Sequence, residues 1–450
     1  DAGTGEFAWT PGPGQSGDHY VILHVSDGQV TVDKTIVFRV QLVPVSPDVH
    51  IELTPSFAAL PGQQIIVNPI ADSFADVESL RLFVDGNELD LDDNGRAVIT
   101  AGDPGKTTIR AVAVDKDGLV GEETVQLKVR DPQDSLAPVV LIDLDGSRLT
   151  EATPINGQVD DVNLDFWRLE FAQLGSDSFV TLAEGESSIL GELVELNPQQ
   201  YANGFYELRL VARDIGGRTS VTSQRIEFNS SDKLNQYQRS DSDLSVTLGN
   251  VDFTLTRHYD SLESGNQGAF GWGWALRGSD IRLETDVAST GREHLGVYPA
   301  FDDTTRLYLT LPDGQRAGFS FVPTLIDVDG GGEFYRPAWV ADDNHGWQLD
   351  SADGVLSKAG SRFHEAGTGL PYNPASGEFA SYDYQLTAAD GTRYLLDAEQ
   401  GVKQIIDNNG GRLFVSDNGI TAESGPTLQF VRDTDGRIVR VSSPDGETLT

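Results

Sequence analysis

The chain has 450 residues, neither cysteine nor methionine, and a formal net charge of −38. That length suits three or four domains. The missing cysteine excludes disulfides, thiol catalysis and cysteine-based zinc sites, and an acidic field of this size repels nucleic acid and anionic membrane surfaces. The longest apolar run, around Val139–Ile142, is too short to cross a bilayer as a helix. Apolar residues recur at strand spacing throughout, which argues against disorder. The start at Asp1, inside what reads as a domain, makes us expect a fragment of a longer exported protein.

In chain order, residues 1–43 read as the second half of an immunoglobulin-like domain. Phe7–Pro11 is expected to be a strand closed by proline. Tyr20–Val25 is a second strand ending at Ser26-Asp27-Gly28, and Val30, Val32, Ile36, Phe38 and Val40 mark the last. The phrases Phe7-Ala8-Trp9-Thr10-Pro11, Gln15-Ser16-Gly17-Asp18-His19-Tyr20 and Val25-Ser26-Asp27-Gly28 are similar to immunoglobulin-like and cadherin-like repeats of bacterial surface proteins. The same hairpin returns twice. Ile109, Ala111 and Ala113 alternate before Asp115-Lys116-Asp117-Gly118, and Leu208, Leu210 and Ala212 alternate before Asp214-Ile215-Gly216-Gly217. The turn acids Asp27, Asp115 and Asp214 recur at about 90–100 residues, the size of one such sandwich. Proline-bearing linkers at Val43–Asp48 and Asp131–Pro138 and a polar joint near 229–235 then give sandwiches at 44–131 and 132–230.

From about residue 240, strand–turn units follow quickly, with Pro312-Asp313-Gly314, Asp390-Gly391, Asn409-Gly410, Asp435-Gly436 and Asp445-Gly446 at the turns. Asp-Gly and Asn-Gly pairs predict two-residue hairpin turns with positive φ at both positions. Units this regular suggest a long meandering sheet. The periodicity leaves the turn-rich segment 285–380 unassigned.

The most informative stretch is Val251–Arg277. Val251, Phe253 and Leu255 alternate with Asp252, Thr254 and Thr256, as in a half-buried strand. Phe270, Trp272 and Trp274 then alternate with Gly271 and Gly273, so three rings are expected on one face and bare backbone on the other. The order Thr254-Leu255-Thr256-Arg257-His258-Tyr259-Asp260-Ser261, Gly268, Phe270-Gly271-Trp272-Gly273-Trp274, Leu276 resembles the opening segment of the Rhs/YD-repeat family. That family includes bacterial Rhs proteins, the C-components of insecticidal toxin complexes and the teneurins. The later phrases Asp390-Gly391-Thr392-Arg393-Tyr394, Arg432-Asp433-Thr434-Asp435-Gly436-Arg437-Ile438 and Pro444-Asp445-Gly446 resemble the run-up to its repeats. The resemblance covers roughly 240–450, and the arginine–aspartate signature occurs clearly once. It implies the N-terminal part of a spiral β-sheet shell that encloses and delivers a C-terminal toxin or effector. It also implies that Phe253, Leu255, Arg257, Tyr259, Phe270, Trp272 and Trp274 anchor the start of that shell. The expected partner is then the C-terminal remainder of the same chain.

Chemistry is sparse. Asp115, Asp117, Asp131 and Asp134 are candidate ligands for an inter-domain calcium ion, since a turn and a linker meet where sandwiches stack. Asp90–Gly95 resembles half a calcium loop but lacks the closing glutamate, and an Asp-Asn-Gly turn explains it more simply; Asp327–Glu333 is a second case of similar weight. Gly12–Gly17 fits a dinucleotide fingerprint without the strand–helix context. No nucleophile elbow and no H-E-x-x-H occurs. Trp272, Trp274, Trp339 and Trp347 could form a sugar platform, although buried packing is the commoner use. The reading is an all-β, exported, non-enzymatic chain: tandem immunoglobulin-like sandwiches followed by the start of a YD-type shell. The alternative is a calcium-stabilised surface adhesin that binds a cell-surface protein or a glycan; a secreted carbohydrate-active enzyme is a third.

Overall fold

The computed structural model describes all residues except 1–6, 13, 42, 145, 288, 327–331, 344–345 and 378–380. The second candidate calcium loop, at 327–333, therefore lies mostly outside the described residues. The chain is all-β; helical content among the described residues is limited to short 3-10 turns such as Pro198–Gln200. It divides into two compact units. One comprises Asp1–Ala137, Val162–Asp165 and Asp214–Arg218; the other comprises Pro138–Asp161, Phe166–Arg213 and Thr219–Thr450.

The first unit begins with a long hairpin, Gly17–Ser26 against Thr31–Val40, that forms a sheet of its own. Residues 7–12 form no strand, contrary to expectation. The Phe7 and Trp9 rings lie instead over Phe38, at 5.4 and 6.3 Å. Much of the hairpin's apolar face, including Val25 and Val32, stays exposed. Next comes a complete sandwich. Asp48–Thr54, Gln64–Asp72 and Ala97–Thr100 form one sheet; Asn87–Leu89, Val77–Val84, Gly105–Asp115 and Val120–Val129 form the other, in that spatial order. Alternation places Ile65, Val67, Leu82, Ile109, Ala111 and Ala113 between the sheets with no exposed surface. That three-plus-four division is an immunoglobulin-type architecture.

The second unit repeats it. Val139–Asp143, Thr153–Asp160 and Ile189–Leu196 face a sheet of Val180–Gly185, Leu164–Gln173, Gly204–Asp214 and Thr219–Phe228, with Arg148–Leu149 added in parallel at its edge. Tyr206, near the start of its strand, donates its hydroxyl to the Ala202 carbonyl at 2.9 Å, the tyrosine corner of such sandwiches. Burial drives the phenol pKa well up.

Residues 238–449 of the same unit form a larger β body. Gln238–Leu248 pairs with Val251–Asp260, which pairs in turn with Trp274–Leu276. The segment 285–380, left unassigned by periodicity, builds two four-stranded sheets and an aromatic core of Phe301, Phe321, Phe363 and Tyr372 around Leu356. The final sheet has nine strands. After Gln348–Ser351, eight follow in strict chain order from Tyr384–Thr387 to Thr448–Leu449. One apolar core joins this meander to the earlier strands, with Leu244, Leu255, Leu307, Leu386, Leu413 and Val441 among its members.

The turns differ from the expected two-residue type. At Asp92, Asp115, Asp214, Asp407 and Asp433 the residue three later is glycine with positive φ. Its N–H donates to the Asp carbonyl, and the Asp N–H donates to the carbonyl four residues on. This is the three-residue loop with a left-handed glycine, and the residue before each glycine keeps negative φ. Asp85-Gly86 is a two-residue turn of the expected kind, with φ of 46° and 80°.

Candidate functional site

The acids at these turns serve the backbone. Asp115 Oδ1 accepts the Asp117 and Leu119 amides, at 3.0 and 2.9 Å, and Oδ2 accepts the Ser73 hydroxyl. Burial works against its charge, yet those donors hold the carboxyl below its ordinary value. Asp92 does the same with Asn94 and Arg96, so the turn alternative describes Asp90–Gly95. The four candidate calcium ligands do not converge. Asp115 and Asp117 sit beyond the Val114–Val120 pair, while Asp131 and Asp134 follow the Gly105–Val129 pair at the far end of the ladder. Ten residues of strand separate the two groups, about 30 Å at ~3.3 Å per residue. The error has a simple cause: a turn and a linker at opposite ends of one hairpin cannot share an ion. Asp131 closes a local turn by accepting the Gln133 amide. Asp134 pairs with Arg218 at 2.7 Å, and the same guanidinium reaches Asp214 and the Leu136 carbonyl. An arginine thus supplies the positive charge there.

The residues expected to anchor a shell occupy one neighbourhood in the second unit, with differing burial. Leu255 is core and Phe253 packs against it. Burial then changes face: Thr256, His258 and Asp260 are buried, and Arg257 and Tyr259 are half-buried. A bulge between Ser242 and Leu244 accompanies this change and leaves Asp243 without a ladder partner. Asp243 grips Arg257 with two bonds, 2.6 and 2.8 Å. The guanidinium also lies 5.9 Å from the Phe270 ring and 5.5 Å from the Trp274 ring. Tyr259 packs on Trp274 at 5.3 Å.

Phe270, Trp272 and Trp274 do not share a face. Gly271–Trp272 and Trp274–Leu276 are separate short strands joined at Gly273. The hairpin turns Trp272 outward, 59% exposed, so Trp272 is not a buried anchor. Of the two glycines between the rings, Gly273 is closely approached, since a Cβ there would lie 2.8 Å from the Tyr259 ring, whereas one on Gly271 would meet only Arg437 Cδ at 3.8 Å; one on Gly268 would lie 2.3 Å from the Trp274 carbonyl oxygen. Asp280, which periodicity gave no reason to select, holds this hairpin. Its Oδ2 accepts the Ala269 and Leu276 amides at 2.8 and 2.9 Å, while burial raises its pKa.

These strands line a cavity of about 620 Å³ with His258, Asn266, Trp274, Asp280, Arg282 and Gln400 on its wall. Of the other tryptophans in the supposed sugar platform, Trp339 packs against Phe301, Phe321 and Tyr384, and Trp347 against Tyr394. Neither lines this cavity.

A second polar centre joins the sandwich to the β body within this unit. Arg306, 7% exposed, meets both oxygens of Glu227 at 2.9 Å, and its Nη1 meets Asp342 at 3.0 Å. The Tyr308 hydroxyl donates to Glu227 at 2.6 Å, and Phe205 packs edge-on against the Tyr308 ring at 5.2 Å. Burial opposes the Arg306 charge, but Asp342 and Glu227 outweigh it and raise its pKa. Burial, and then Glu227, raise that of Tyr308.

No helix among the described residues is long and apolar enough to cross a membrane. No protein-family model matches the chain, and no curated protein matches it. Among solved structures it is similar to the fibronectin(III)-like modules of Clostridium thermocellum CbhA, at 19% identity over 40% of this chain and 95% of that one, with a TM-score of 0.20. It is also similar to Drosophila N-cadherin EC1-4, at 12% identity over 79% of this chain and 81% of that one, TM-score 0.21. A third likeness is to a 1.5-MDa bacterial ice-binding adhesin, at 10% identity over 67% of this chain and 98% of that one, TM-score 0.16.

Proposed function

We propose that the chain is a non-catalytic, exported scaffold. Immunoglobulin-type sandwiches form its stalk, and residues 238–449 begin a β-sheet shell of the Rhs/YD type that encloses a polypeptide cargo. The observation that carries this reading is the final sheet. Eight strands pair in chain order and pack one face on the core that holds Leu255. Such a meander extends by adding strands at its free edge, and a sheet that continues around its own axis covers its edges and isolates its interior. The partner is the remainder of the same polypeptide, as wall and as cargo. Calcium is not needed for this reading: Asp115 and Asp131 accept backbone amides and Asp134 pairs with Arg218.

Negative-stain microscopy of the full natural polypeptide tests the proposal. A closed hollow body at the end of a short stalk is the expected result. An extended string of sandwiches with a solid terminal knob would refute it and favour a surface adhesin.

A further inference from the structure

We infer that Lys233 and Asn203 join in an intramolecular isopeptide bond, a covalent modification at the joint between the second sandwich and the β body. The inference stands apart from the shell reading. Both residues are half-buried and belong to the second unit. One residue clamps the Asn203 amide: Nδ2 donates to the Ser230 carbonyl at 3.1 Å, and Oδ1 accepts the Ser230 N–H at 2.9 Å. That reciprocal pairing fixes which end of the amide is oxygen. Lys233 Nζ donates to the same Oδ1 at 2.6 Å and to the Pro198 carbonyl at 3.1 Å. The flanking backbone is held as well. The Ser230 hydroxyl donates to the Asp232 carbonyl at 2.9 Å, and the Leu234 N–H donates to the Gln199 carbonyl at 2.8 Å. With a C=O length of about 1.2 Å, Nζ stands roughly 3–4 Å from Asn203 Cγ, close to the separation of a near-attack pair.

These groups supply the parts of an amide exchange. Burial pulls the Lys233 pKa down to about 8, against the charge of Asp260, which opposes the shift. About a tenth of the amine is therefore neutral at pH 7, and most of it is above pH 8. The neutral amine carries a lone pair, which rotation of its terminal bonds brings over Cγ. The Ser230 N–H polarises the amide and stays on Oδ1 as negative charge develops there. Nζ adds to Cγ, and the Cγ–Nδ2 bond breaks. The proton shed by Nζ passes through solvent, which reaches this half-buried pair, to Nδ2, which leaves as ammonia. One C–N bond replaces another, so the exchange needs no oxidant and no further reactant. The product closes residues 203–233 into a ring and ties the polar joint to the loop that opens the strand Gly204–Asp214. In a chain without cysteine, it takes the place a disulfide would hold.

The test is mass spectrometry of the 450-residue chain, folded and incubated at about pH 9, where the amine is mostly neutral. The expected mass lies about 17 Da below that of the sequence, the loss of one ammonia. Trypsin does not cut after an acylated lysine, so digestion at Arg168, Arg209, Arg225 and Arg239 should yield a branched peptide that joins 169–209 to 226–239. Lys233→Arg keeps the positive charge without the nucleophile, and should give its full sequence mass and no branched peptide. Closure of Asn203 on the Gly204 amide would lose the same ammonia, but it yields no branch and persists in Lys233→Arg; that result overturns the inference. A parent chain at full sequence mass after the incubation overturns it too. The parent alone decides the matter, so a variant that fails to fold does not obscure the outcome. A negative result here leaves the microscopy test of the shell unaffected.

Discussion

Arg306→Met removes the cation from the most heavily charged buried centre of the second unit and leaves Glu227, 5% exposed, beside Asp342 without a guanidinium between them. Breaking a buried pair from one side costs about 3–5 kcal/mol, because the stranded charge must be desolvated or protonated. Two carboxylates share this arginine, so the upper half of that range is expected. For a body of this size, that lowers the melting temperature by roughly 6–10 °C. Differential scanning calorimetry of the whole chain is the assay: the transition of the first unit should stay in place while that of the second moves down. The triple variant Arg306→Met, Glu227→Leu, Asp342→Leu removes these three charges at once, leaving only half-exposed Arg148, which also pairs with Glu227 and can turn to water, and should recover most of the loss, since apolar replacement of a buried ion cluster is often neutral. A shift below about 1 kcal/mol for the single variant, or a triple variant no better than the single, would show that the network does not lie in a dry interior.

Three further outcomes follow from the same geometry. Leu255→Ala should cost about 2–5 kcal/mol in denaturant unfolding, while Trp272→Ala should change stability by less than about 0.5 kcal/mol, because one side chain is core and the other 59% exposed. Gly268→Ala should open the hairpin and move Trp274 fluorescence, since the new methyl would meet a backbone carbonyl that cannot step aside. Burial pushes Asp286 up to about 6, with Asp302 and Glu227 adding to it although the Arg306 amide opposes it. The folded state therefore holds that proton above the unfolded pKa, and stability falls as pH rises from about 4 through about 6. Asp286→Asn keeps an acceptor for the Arg306 amide, at 2.9 Å in the parent, and removes the charge. Its melting temperature should exceed the parent's at pH 8 and match it near pH 3.

Periodicity located the two complete sandwiches and the meander, because strands with one buried face must alternate, as Ile109, Ala111 and Ala113 do. It also located the 251–277 neighbourhood. It failed where strands are short. Phe270, Trp272 and Trp274 have period-2 spacing, but a hairpin at Gly273 turns the middle ring out, and two-residue strands carry no periodic signal. The 285–380 sheets were hidden because most of their strands run only three or four residues and the longer ones, Arg306–Thr310 and Arg316–Phe321, are buried on both faces and do not alternate. The Arg306–Glu227–Asp342 centre joins residues up to 115 positions apart, and no local pattern marks them. The expected convergence of Asp115 and Asp117 with Asp131 and Asp134 failed on a countable fact, the number of residues between Asp115 and Asp131 along one strand. Asp280 had a faint signal, an acid four residues beyond an apolar pair, which only the fold makes legible.

The repeated turn, an aspartate that binds the amides of its own loop followed by a left-handed glycine, has a consequence for how the body is made. Such a loop closes using only its own five residues, and each strand after Tyr384–Thr387, as far as Leu449, pairs with the one just before it. Contacts of short sequence separation form early and at small entropic cost. A chain emerging N-terminus first can therefore lay down this sheet strand by strand, each new hairpin templated by the last, without waiting for distant sequence. The sheet would rise in the order in which it is synthesised, with its growing edge always at the most recently emerged strand.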